Sequence, residues 1–142
     1  MHRLAANMGK WTPKSARVLI LAPTRELVIQ IQKTIADLGA YLKIKDAAVF
    51  GGVGQVPQEK AMRGGVDFLI ATPGRLMDLI QQGHIQLGAV EALVLDEADR
   101  MLDMGFINDI RKIVRHVPTQ RQSLFFSATL PDEIKALSRE WL

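Results

Sequence analysis

The 142-residue sequence contains no cysteine, which removes disulfides, thiolate catalysis and cysteine-ligated zinc together. That absence suits a reducing compartment, and a cytoplasmic location is the expectation. There are only three histidines, His2, His84 and His116, too far apart in sequence to suggest a histidine-built metal site. Long apolar runs are missing as well. Val18–Ala22 and Ala92–Leu95 stop far short of the roughly 20 residues that a membrane span needs, so no membrane is expected among the partners. Met1–Lys10 is too broken by polar residues to read as an export signal. Aromatic residues make up 6%, and 18 Lys and Arg against 15 Asp and Glu leave a net charge of +3, which suits a polyanionic partner without arguing for one.

What is present is the composition of an ordinary globular chain, 48% hydrophobic and 23% charged, long enough for one domain with a real core and too short for two. Short apolar runs bounded by turn residues recur at Arg17–Ala22, Ala47–Phe50, Val66–Ala71, Ala92–Asp96 and Gln122–Ser127, and they predict buried strands. Between them lie helical spacings, such as Leu27, Ile31, Ile35 and Leu38, or Ile107, Ile110, Ile113, Val114 and Val117. This alternation predicts an α/β fold, a parallel sheet with helices on both faces. Met1–Gly9 reads as a helix tail and loop with no glycine-rich strand-to-helix turn before it, and the sequence stops inside the helical pattern Pro131–Leu142. The expectation is a partial domain, incomplete at both ends.

Ligands of open parallel sheets gather outside the carboxyl ends of the strands, and each predicted strand here runs into a polar cluster. These are Pro23-Thr24-Arg25-Glu26, Gly51-Gly52, Thr72-Pro73-Gly74-Arg75, Asp96-Glu97-Ala98-Asp99 and Ser127-Ala128-Thr129. Thr24 and Thr72 suit the N-cap and Pro73 the first helical position. A first turn normally favours acids, because the helix dipole is positive there. Arg25 and Arg75 break that rule, which makes sense if amide groups and a guanidinium together hold a phosphate. The alternative is pairing with nearby carboxylates such as Glu26 and Asp78. Gly51-Gly52 is either a plain turn or a close approach of backbone to a ligand. Asp96 ends an apolar strand, where a carboxylate can hold a phosphate-bound Mg²⁺, and Glu97 beside it can orient or deprotonate a water. Ser127 and Thr129 are hydroxyl donors within reach of Asp99 if the two strands are neighbours.

In that order and spacing, APTRELVIQ (Ala22–Gln30), Gly51-Gly52, ATPGRLMDL (Ala71–Leu79), VLDEADRMLDMGF (Val94–Phe106) and Ser127–Thr129 resemble the DEAD-box RNA helicase family. The continuation DRMLDMGF looks closer to bacterial members. The resemblance implies part of the first RecA-like domain, spanning residues 1–142, of a two-domain, ATP-dependent and Mg²⁺-dependent RNA helicase. It implies that Asp96 holds Mg²⁺ through water, that Glu97 activates the hydrolytic water, and that Asp99 links hydrolysis to RNA through Ser127 and Thr129. Thr24, Arg25, Gly51, Gly52, Thr72, Gly74 and Arg75 would follow the RNA sugar-phosphate backbone without reading sequence.

Two features that the family carries upstream, an adenine-reading glutamine block and a phosphate loop G-x-x-x-x-G-K-[ST], do not occur in the sequence. Gly9-Lys10 fails that pattern, since Leu4 stands where its first glycine belongs and Trp11 follows the lysine. The second RecA-like domain, with its arginine finger, is also outside these residues. The chain alone is therefore expected to be inactive and to carry no ATP or Mg²⁺. Two other readings are a non-enzymatic RNA-binding α/β module and an unrelated α/β domain whose acidic edge binds Mg²⁺.

Overall fold

The computed structural model describes residues 11–142. The readings made on Met1–Lys10, the helix tail and the Gly9-Lys10 pair, lie outside the described residues. Five strands form one sheet: β1 (Ala16–Leu21), β2 (Asp46–Val49), β3 (Val66–Ala71), β4 (Ala92–Leu95) and β5 (Gln122–Phe125). Among the described residues six helices connect or follow them: α1 (Arg25–Leu38), α2 (Val56–Met62), α3 (Pro73–Gln81), α4 (Ala98–Asp103), α5 (Ile107–His116) and α6 (Asp132–Trp141). The strands are all parallel, in the order β2-β3-β1-β4-β5.

The central strands are buried because both of their faces are covered, which is why their sequences are continuously apolar rather than alternating. All six residues of β3 are buried. On one face, Leu19, Leu21, Leu69 and Leu93 pack with Met62 of α2, Leu76 and Leu79 of α3, Met101 of α4, Ile113 of α5 and Ile134 of α6. On the other, Val18, Phe68 and Ile70 pack with Val28 of α1, with Leu27, Ile31 and Ile35 at the rim. Helices do lie on both faces, but unequally. Among the described residues α1 alone supplies the helical side chains of the second core, and at the sheet border Leu124 and Phe126 remain 52% and 53% exposed.

Register aligns the carboxyl ends. Leu21 pairs with both Ala71 and Leu95, Val49 with Ala71, and Leu95 with Phe125. The ladder runs one residue past each pairing, through Ala22 N–H to Ala71 O at 3.0 Å, Thr72 N–H to Val49 O at 2.9 Å, Asp96 N–H to Leu21 O at 2.9 Å and Phe126 N–H to Leu95 O at 2.9 Å. These bonds fix the start of each polar cluster on one edge of the sheet. At the amino ends lies a charged pair that the apolar runs concealed: Arg17 and Asp67 are both buried, with Nε 3.7 Å from Oδ1, and the Asp67 carboxylate also accepts the Lys45 amide at 2.9 Å. Burying a carboxylate is costly without such partners.

Candidate functional site

The β2–β3–β1 half of the carboxyl edge holds the glycines and both arginines. Thr24 is the N-cap of α1, extended at φ −132°, and its hydroxyl accepts the Leu27 amide at 3.2 Å. Arg25 follows, exposed, with its guanidinium carbon 5.4 Å from the centre of the Phe50 ring. Thr72 takes the same place on α3 with an extended backbone, but its hydroxyl makes no cap bond, and Pro73 opens the helix. Arg75 donates from Nη1 to Gln58 Oε1 at 3.1 Å and from Nη2 to the Val53 carbonyl at 2.8 Å. The alternative pairings do not form: Arg25 and Arg75 make no ion pair with Glu26 or Asp78. Both cations are held by neutral groups, so their charge is not cancelled inside the protein.

Glycine has different reasons along this half. Gly52 sits at φ +83°, a conformation that other L-residues avoid, and a Cβ there would lie 3.9 Å from Arg25 Nη1. Gly51 and Gly74 have no such demand. Neither has a positive φ, and a Cβ added at either would meet no atom beyond its own local backbone within 4 Å. Nothing inside the fold requires glycine at these two positions.

The β4–β5 half is acidic. Asp96 is half-buried at the end of β4, and its Oδ1 accepts the amide of Glu97 at 3.0 Å. Glu97 lies at φ 51°, ψ 51°, in the left-handed region, immediately before α4. Its carboxylate is 3.4 Å from Arg100 Nη1, an exposed contact of small energetic weight. The Ala98 amide donates to Phe126 O at 3.0 Å, which ties the start of α4 to the end of β5. Across that junction, Asp99 Oδ2 accepts the Thr129 hydroxyl at 2.8 Å and the Thr129 amide at 3.0 Å, while the Asp99 amide donates to Ser127 Oγ at 3.1 Å. Ser127 Oγ in turn donates to Thr129 O at 2.6 Å. The Thr129 hydroxyl chiefly holds the Asp99 carboxyl below its ordinary value; desolvation opposes this, and the Thr129 amide, Ser127 and the Arg100 amide add to the lowering.

Among the described residues no three His, Cys, Asp or Glu side chains form a metal cage. Asp96 offers one carboxylate beside Glu97, a donor set that suits an ion arriving with phosphate oxygens and its own waters, as Mg²⁺ does, rather than a resident metal. Also among the described residues, no helix is long and apolar enough to cross a membrane.

Three residues that take part in this edge were not singled out in the sequence: Gln58, which bonds Arg75; Phe50, which lies under Arg25; and Arg100, which reaches Glu97. Gln58 had a usable signal. Pro57 marks the first turn of α2, and Gln58 and Met62, four apart, share its buried face. For Phe50 and Arg100 the partners lie in side-chain geometry that spacing does not reveal.

The sequence profile of the family described as DEAD/DEAH box helicase matches residues 3–137. DEAD-box ATP-dependent RNA helicase 30 of Oryza sativa subsp. japonica is 51% identical over 125 residues, 88% of this chain and 19% of that protein. ATP-dependent RNA helicase DBP2 of Eremothecium gossypii is also 51% identical over 125 residues, 88% of this chain and 22% of its own length. Thus the chain spans about a fifth of these curated relatives. Among solved structures, a DEAD box protein from Methanococcus jannaschii is similar with a TM-score of 0.86 at 40% identity, over 90% of this chain and 35% of that one. A hypothetical ATP-dependent RNA helicase from Sulfolobus tokodaii gives 0.83 at 40% identity, over 89% and 38%. The relatives named here are plant, fungal and archaeal, and they lend no support to the bacterial-type reading of Asp99–Phe106.

Proposed function

Because the chain belongs to the DEAD/DEAH box helicase family, we propose that residues 1–142 form part of the first RecA-like domain of an ATP-dependent RNA helicase, which couples ATP hydrolysis to RNA binding and local strand separation. A second RecA-like domain of the same protein is the proposed partner, and a reducing, cytoplasmic setting suits the cysteine-free sequence. The observation that carries the reading is that Arg25 and Arg75, at one sheet edge, are oriented by neutral groups rather than by carboxylates. Beside them a Cβ at Gly51 or Gly74 would meet no packed atom, which leaves room for an RNA backbone.

In this reading Thr24, Arg25, Gly51, Gly52, Thr72, Gly74 and Arg75 contact phosphates and riboses along the β2–β3–β1 half. The arginines are suited to this because their charge is held by a ring, an amide and a carbonyl rather than by acids. Such contacts favour RNA geometry over base sequence. On the other half, Asp96 would hold Mg²⁺ through water when ATP is bound, and the bound ion would supply charge neutralisation at the phosphates. Glu97 accepts a proton from the attacking water, with its carboxylate kept near by Arg100. Asp99, bonded to Thr129 and Ser127, makes the acidic loop and the end of β5 move as one body, the joint through which hydrolysis would be linked to RNA.

The sequence contains no G-x-x-x-x-G-K-[ST] cradle, and phosphoryl transfer depends mainly on positioning and charge neutralisation. A lone helix-end phosphate contact contributes about 1 kcal/mol, against the roughly 8 kcal/mol of micromolar affinity. Calorimetry with ATP and Mg²⁺, beside a phosphate-release assay with and without single-stranded RNA, tests this on the 142-residue chain. The expected result is neither tight ATP binding nor release. RNA-stimulated release above a Glu97→Gln control would overturn the partial-domain reading, and failure of the chain to bind single-stranded RNA at low salt would overturn the assignment of the β2–β3–β1 half.

A further inference from the structure

Gln58 is a buried polar side chain, 7% exposed, on a helix otherwise anchored by Met62. Its amide is used at both ends. Nε2 donates to the Phe50 carbonyl at 3.0 Å, and Oε1 accepts from Arg75 Nη1 at 3.1 Å. Arg75 then reaches the Val53 carbonyl through Nη2 at 2.8 Å. The two carbonyls on either side of Gly51-Gly52 are thus fastened to one Gln–Arg pair. Among the described residues no backbone carbonyl accepts the amides of Gly51, Gly52, Val53 or Gly54.

We propose that Gln58 is a positioning residue for the RNA grip: by holding the Phe50 carbonyl and the Arg75 guanidinium at once, it sets the course of residues 51–54 and leaves their amides for phosphodiester oxygens. This rests on the RNA reading of the edge. The chemistry requires an amide, since a donor and an acceptor are needed on one side chain. A glutamate supplies only the acceptor and a methionine neither, although both fill similar space. Losing the amide strands a carbonyl and a guanidinium in a partly buried place, so the loop relaxes toward other partners.

The test uses the 142-residue chain with Gln58→Met, Gln58→Glu, Arg75→Ala and the double variant Gln58→Met/Arg75→Ala. Amide NMR spectra report the loop without RNA, and anisotropy of a labelled oligouridylate reports binding. In Gln58→Met the Gly51, Gly52 and Gly54 amides should shift or broaden while those of Ala98 and Thr129 stay in place. Affinity should fall about fivefold, the order of effect expected when the two bonds that position the loop and Arg75 are lost. Gln58→Glu keeps an acceptor for Arg75 but pairs the cation with a carboxylate and offers the Phe50 carbonyl no donor, so it should lose at least as much affinity as Gln58→Met, and it serves if the methionine variant does not fold. In the Arg75→Ala background Gln58→Met should add less than about twofold, because the residue acts through the arginine. A merely structural glutamine would instead give multiplicative losses and an unmoved loop, and that result overturns the proposal. If the loop amides move as expected but the wild-type chain binds no oligouridylate, the RNA reading fails and the positioning of the loop stands. Normal loop amides in a variant that binds like wild type leave the RNA reading intact and remove Gln58 from it.

Discussion

Along the carboxyl edge, the β2–β3–β1 half and the β4–β5 half treat charge in opposite ways. In the first, Arg25 lies over an aromatic ring and Arg75 is held by an amide oxygen and a main-chain carbonyl, so two cations are oriented without being neutralised. In the second, the Asp99 carboxylate is taken up by a hydroxyl and amides of the same chain, and Glu97 faces Arg100. Orientation by neutral groups leaves a charge available to a ligand, whereas orientation by donors inside the protein turns a charge into a joint. In the proposed reading the first half binds and the second, with Asp96 and Glu97 at the end of β4, transmits.

The sharpest way to separate the halves is Glu97→Gln in the complete helicase to which this chain is assigned. Turnover should fall by about 10²–10⁴, the usual worth of a positioned base, with RNA affinity unchanged. An equal loss of RNA binding would erase the distinction. Gly74→Ala probes the other half. Alanine is the better helix former, so urea melts should show unchanged stability or a gain of up to about 1 kcal/mol, while RNA affinity falls about tenfold from the intruding methyl. Stability and binding moving together would show that Gly74 serves the fold.

Arg25→Ala should have a smaller effect, weakening binding to all RNA sequences alike and reducing the logarithmic salt slope by roughly 0.7 for one lost phosphate contact on a single strand. Loss confined to certain sequences would signal base reading. The mildest test is Thr129→Val, followed through the Asp99 carboxyl by NMR titration. Because the folded value lies below the ordinary one, the stabilisation from this joint is complete above about pH 4 and fades as pH falls through the lowered value. The valine variant should titrate higher and show a weaker local acid sensitivity, since the Thr129 amide, Ser127 and the Arg100 amide remain. An unchanged titration would assign the lowering to other donors.

Much of this architecture was legible in the sequence, because parallel strands buried on both faces leave a plain apolar signature. The run Val66–Ala71 coincides with β3, and the other four strands were displaced or overextended by one or two residues where polar cluster residues adjoin them. The common edge followed from where the polar residues stood, and sheet order then brought Asp99 to Thr129. The rest depends on distance in sequence. Arg75 finds Gln58 and Val53, 17 and 22 residues away, rather than Asp78 on its own helix. Helix α2 escaped notice because seven residues give scarcely two turns of periodicity. Asp67 was concealed within an apolar run, and its partner Arg17 lies on the neighbouring strand β1.

The backbone at Glu97 sets a trap for anyone improving this protein. A side chain other than glycine in the left-handed region costs of order 1–3 kcal/mol, and glycine would relieve much of it. A variant library sorted on heat resistance alone should therefore enrich Glu97→Gly, and every winner at that position would have discarded the proposed base. Durability and turnover draw on the same residue, so selection has to score both in one assay.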